Sequence, residues 1–81
     1  MDRMHLHILT PEGSVTDMLV SLVTLPGEAG PFTVLENHAA IVTSLVEGDV
    51  RYMAEGAELR IHVREGFAEV SDNNITVCAR I

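Results

Sequence analysis

Turn-forming residues return along this chain at intervals of roughly 8 to 12 residues, and that spacing leaves room only for short extended segments. The turns are Thr10-Pro11-Glu12-Gly13, Pro26-Gly27-Glu28-Ala29-Gly30-Pro31, Glu36-Asn37-His38, Glu47-Gly48-Asp49, Ala54-Glu55-Gly56-Ala57-Glu58 and Ser71-Asp72-Asn73-Asn74. Glycine supplies positive φ, proline pre-sets its own, and asparagine and aspartate tolerate the left-handed region, so each cluster stops regular structure for a definite reason. No stretch between them carries a helical period. The expectation is an all-β fold, a flattened antiparallel β-sandwich or barrel of short strands.

The segments between turns support this. From Met4 to Leu9 the chain alternates, with Met4, Leu6 and Ile8 on one side and His5, His7 and Leu9 on the other. That is the period of a half-buried strand. The run Ser14 to Leu25 is apolar on both alternating sides, Val20 and Leu22 against Leu19 and Val23, which predicts a strand covered on both faces. Val50 to Met53 and Leu59 to Arg64 flank Ala54-Glu55-Gly56-Ala57-Glu58 as a hairpin, and Phe67 to Val70 with Ile75 to Cys78 flank Ser71-Asp72-Asn73-Asn74 as another.

Length and charge narrow the function. The 81 residues suffice for a single domain spanning positions 1 to 81 and one modest core. With 47% hydrophobic residues, some apolar surface is expected to meet a partner. A formal net charge of -7 opposes binding to phosphate backbones, so nucleic acid is not an expected partner. The apolar stretch from Met18 to Leu25 falls far short of the ~20 residues that span a bilayer, so no membrane insertion is expected. The single cysteine, Cys78, cannot close an internal disulfide and reads as a core residue. With no positively charged leader after Met1, a reducing intracellular compartment is the expectation.

Nothing in the residues points to catalysis or to a cofactor. The serines sit in no nucleophile elbow, and the glycines of the 26–31 loop precede no helix that would hold a phosphate. His5 and His7, two apart on one strand face, are the natural candidates for a metal. No cysteine or carboxylate joins them at ligand spacing, so the reading is solvent-facing histidines and no metal site, with a stand-alone ligand- or metal-binding β-barrel using His5, His7 and His38 as the alternative. His62, between Arg60 and Arg64, is expected to resist a second proton. His38, beside Glu36 and Asn37 and leading into Ala39-Ala40, is expected to shape its turn or contact a partner.

The stretch from Val23 to Val50 resembles the epsilon subunit family of the F-type rotary ATP synthase. The shared order is a glycine loop at Gly27 to Gly30, a short strand, the pair His38-Ala39, then Thr43, Leu45, the turn glycine Gly48 and a new strand. Glu65-Gly66-Phe67-Ala68-Glu69-Val70 followed by Asn73-Asn74-Ile75-Thr76-Val77 resembles the family's second hallmark. The resemblance runs from Met4 to Arg80. It departs at Ala40, where proline is usual, at Thr33 and Glu65, where glycine is, and at Glu36-Asn37, where proline-glycine is frequent.

The resemblance implies an amino-terminal β-sandwich acting as a non-catalytic central-stalk subunit. It would couple rotation of the c ring, driven by ion translocation, to ATP synthesis through the gamma subunit, as a peripheral component on the cytoplasmic face of the bacterial inner membrane. Many members continue into two helices that can block ATP hydrolysis and in some bind ATP; a chain ending at Ile81 would lack that hairpin. The positions implied to contact the c ring and stalk base are Glu28, Gly30, Pro31 and Phe32 in the loop and Glu36, Asn37 and His38 in the turn. Gly30 and His38 match the family pattern directly. The strand near Leu19 to Val23 either contributes to a gamma-binding face or lies inside the sandwich.

Overall fold

Alternating and short apolar runs become nine strands in a computed structural model that describes residues 2–81. They are β1 (Met4–Thr10), β2 (Gly13–Val20), β3 (Leu22–Leu25), β4 (Phe32–Val34), β5 (Ile41–Leu45), β6 (Gly48–Ala54), β7 (Ala57–Val63), β8 (Glu65–Ser71) and β9 (Asn74–Arg80). No helix occurs among the described residues. The strands form a five-stranded sheet in the order β2-β1-β9-β8-β5 and a four-stranded sheet in the order β4-β3-β6-β7. This is the expected β-sandwich. Every pairing is antiparallel except one: β1 runs parallel to β9, with Leu6 opposite Ile75 and Ile8 opposite Val77.

Both sheets contribute to one core. Met4, Leu6, Ile8, Ile75 and Val77 come from the first sheet and Val23, Leu25, Val50 and Val63 from the second, all essentially without solvent exposure. The two hairpin turns form as their residues require. Glu55 and Gly56 have φ of 51° and 78°, and Asp72 and Asn73 have 50° and 63°. Two consecutive positive φ values match the right-handed twist of the flanking strands.

The run Ser14 to Leu25 is not one strand covered on both faces. It breaks at Ser21, where the chain leaves the five-stranded sheet and enters the four-stranded one, and the Ser21 amide donates to the Met53 carbonyl at 2.9 Å. The crossing changes which alternate residues point inward. Val20 is buried before it and Val23 and Leu25 after it, while Leu19 is 55% exposed. Two single-faced strands out of phase thus mimic a doubly apolar one.

Candidate functional site

Register lays the outer face of the five-stranded sheet out in rows. One row runs Ser14, Leu9, Cys78, Phe67, Ser44 across β2, β1, β9, β8 and β5. The next runs Asp17, His7, Thr76, Glu69, Val42, and beyond it Leu19, His5, Asn74, Ser71. Leu9, Phe67 and Val42 are exposed, Phe67 at 51% and Val42 at 69%. Cys78 is half-buried in the middle of the first row rather than in the core, because β9 turns Val77 and Ala79 inward and Cys78 outward. Leu9, Cys78, Phe67 and Ser44 of this row, with Pro11 and Leu45, line a shallow open groove. An apolar row amid polar neighbours is a surface that gains by being covered.

Gly66 keeps this region closed. A Cβ there would overlap the Cys78 carbonyl oxygen and lie 2.7 Å from the Ala79 Cα and 2.8 Å from its Cβ, so only glycine lets β8 and β9 approach as they do.

The seven loop residues singled out in the sequence form a strip rather than one patch. The Glu28 amide donates to the Ser44 carbonyl at 2.9 Å, near the end of β5. The Gly30 amide closes the loop onto the Gly27 carbonyl at 3.0 Å, with Gly30 at φ 129° and Pro31 exposed beside it. Phe32 packs against the core, and its ring lies 6.5 Å from that of His38. The Asn37 amide donates to Asn73 Oδ1 at 2.6 Å, and Asn73 returns an amide to Asn37 Oδ1 at 3.2 Å, which fixes the turn at the other end of β5. Glu36 faces Arg3 at 3.7 Å, and His38 Nδ1 lies 2.7 Å from the Ala39 carbonyl oxygen, a turn-shaping contact.

Two histidine clusters depart from the sequence reading. A carboxylate does join His5 and His7: Asp17, directly across from His7 on β2, contacts His5 Nε2 through Oδ1 and lies 3.0 Å from His7 Nε2 through Oδ2. The histidines' hydrogen bonds, His5 first, hold the Asp17 carboxyl below its ordinary value. On the other sheet, His62 does not resist a second proton. Its Nε2 lies 2.9 Å from Glu47 and its Nδ1 2.9 Å from Asp49, and these two acceptors raise its pKa despite the flanking arginines. Sequence separations of 12, 13 and 15 residues hid the contacts of His5 with Asp17 and of His62 with Asp49 and Glu47.

Residues 3–81 match the family described as ATP synthase, Delta/Epsilon chain, beta-sandwich domain. An ATP synthase epsilon chain of Desulfitobacterium hafniense is 39% identical over 74 residues, covering 91% of this chain and 56% of that protein. The ATP synthase epsilon chain of Symbiobacterium thermophilum is 42% identical over 80 residues, covering 98% and 58%. The chain thus spans just over half the length of these curated relatives. Its fold is similar to a chain of the Euglena gracilis mitochondrial ATP synthase assembly of OSCP, F1 and c-ring, with a TM-score of 0.89 at 21% identity over 98% of this chain and 51% of that one. A chain of the Tetrahymena thermophila mitochondrial ATP synthase central stalk and c-ring gives a TM-score of 0.80 at 14% identity, covering 96% and 63%.

Proposed function

Because the chain belongs to the ATP synthase delta/epsilon β-sandwich family, we propose that it is a non-catalytic part of the central stalk, passing rotation of the c ring to the catalytic head through the gamma subunit. It works at the cytoplasmic face of the membrane without entering it. The observation that carries this reading is the row of exposed Leu9 and Phe67 on either side of half-buried Cys78, with exposed Val42 beside it, which supplies an apolar face for gamma. The strip of Glu28, Gly30, Pro31, Phe32, Glu36, Asn37 and His38 is the contact with the c ring and stalk base. A close-packed sandwich suits a mechanical role, since layers at crystal-like density transmit force with little deformation.

The test is binding of the 81-residue chain to its own gamma subunit by native mass spectrometry and calorimetry. A one-to-one complex is expected, and Phe67→Asp should weaken it by about 30-fold or more, the loss typical of an aromatic hot spot. Absence of a complex, or a variant that binds as well as the parent, overturns the assignment of that face. His38→Ala then sorts the strip: unchanged gamma affinity gives the turn to the ring, and a loss gives it to gamma.

A further inference from the structure

His5 and His7 stand two apart on β1, so both rings leave the same outer face of the five-stranded sheet. Their rings stack with centroids 4.6 Å apart and planes inclined by 28°. The two Nε2 atoms converge on Asp17, each meeting a different oxygen of the same carboxylate. We propose that His5, His7 and Asp17 form a binding site for a divalent transition-metal cation of the zinc class, on the same outer face as the apolar row Leu9, Cys78, Phe67 and adjoining it.

The donor set and its spacing carry the proposal. One ligand atom from each residue lies within 4.8 Å of the other two. Imidazole nitrogens bind zinc at about 2.0–2.1 Å, which in a tetrahedral site puts neighbouring donors about 3.4 Å apart. His7 Nε2 and Asp17 Oδ2, at 3.0 Å, are already near that spacing, so an ion enters with little movement of either strand. Two imidazoles with one carboxylate select zinc, nickel or copper over magnesium or calcium, which prefer all-oxygen shells. The ligands are half-buried to exposed, which leaves the fourth position to water.

The scaffold is pre-formed. His7 and Asp17 are opposed residues of one antiparallel ladder, and His5 lies one row along on the same strand. His62 shows the contrast. Its two carboxylates engage opposite ring nitrogens, so no single ion can take the imidazole together with both.

The experiment is titration of the 81-residue chain with zinc chloride by calorimetry in a non-chelating buffer, alongside cobalt followed by its visible absorption. One ion per chain is expected, with absorption in the tetrahedral range. His7→Gln and Asp17→Asn should each weaken binding by about tenfold or more, the least that disturbing a metal site costs. His62→Gln and Cys78→Ser should leave it unchanged. Amide NMR spectra of the variants guard against a folding artefact. Absence of binding at millimolar zinc, equal affinity in the His7 and Asp17 variants, or a loss confined to Cys78→Ser would each overturn the site.

Discussion

The two sheets bury the same kind of inner face and present opposite outer ones. The five-stranded sheet exposes Leu9, Phe67, Val42 and Leu19 around the paired histidines. The four-stranded sheet exposes a charged lattice, in which Arg60 reaches Asp49 at 3.5 Å and Glu58 at 3.9 Å and His62 bridges Glu47 and Asp49. Both outer faces also join histidine to carboxylate, in inverted proportion: two imidazoles to one carboxylate on the first, one imidazole to two carboxylates on the second. Proportion decides the chemistry. A shared carboxylate with two converging nitrogens suits a metal, whereas an imidazole between two acceptors holds a proton.

The contrast breaks most severely at Gly66, whose lack of a side chain lets β8 and β9 close beneath the Cys78–Phe67 row. Gly66→Ala forces the strands apart and should cost about 3 kcal/mol, the upper part of the overpacking range. In a domain this small that lowers the melting temperature by roughly 15 °C. Denaturant melts measure it. In the four-stranded sheet the same change at Gly56 meets open space and pays only for φ of 78°, about 1 kcal/mol. Equal losses at the two positions would mean that β8 and β9 are not sterically limited at Gly66.

A smaller effect sharpens the difference between outer faces. On gamma binding, Phe67→Asp should cost about 2 kcal/mol, while Arg60→Asp, on the charged face, should change affinity by less than about 0.5 kcal/mol. Parallel calorimetry of the two variants decides it, and a comparable loss from both would make the charged lattice part of the interface.

Much of this architecture was legible in the chain because it is encoded locally. Ala54 to Glu58 and Ser71 to Asn74 announce hairpins, which the structure narrows to the turns Glu55-Gly56 and Asp72-Asn73, and Met4, Leu6 and Ile8 announce a one-sided strand. What stayed hidden depends on pairing. Whether β1 lies beside β9, and in which direction, is written in no local pattern, and it is this neighbour that puts Leu9, Cys78 and Phe67 in one row. The break at Ser21 shifts the buried positions by one, which an apolar count cannot tell from a strand covered on both sides. Asp17 faces His7 only through a register that skips Val15 at the irregularity between Ile8 and Leu9. The loop strip is proposed as a contact from family resemblance alone, since nothing in the residues 28–38 themselves distinguishes a contact from an ordinary turn.

The smallest expected effect tests the proton-holding half of the comparison. Hydrogen bonds donated by the His62 ring to Glu47 and then Asp49 raise the His62 pKa above its ordinary 6.5, and His62 lowers both carboxylates, from 4.5 and 3.8. A raised imidazole pKa means stability fully present below about pH 6.5 and lost as pH rises through the folded value; the lowered carboxylates add stability present above their ordinary values and lost as pH falls through the folded ones. The triad therefore contributes most between about pH 4.5 and 6.5. The neighbouring charges, Arg60 and Arg51 near Asp49 and Arg64 near Glu47, lower the same two carboxylates and so act in the same direction as His62. Unfolding free energies of the parent and of His62→Gln, compared at pH 5.5 and pH 9, isolate the contribution, because the substitution removes only the imidazole that bridges Glu47 and Asp49. The difference should favour the parent at pH 5.5, vanish at pH 9, and shrink in molar salt, since all three side chains are open to solvent. A difference that stayed constant across pH would make His62 a packing residue, and the two histidine clusters would no longer be opposites.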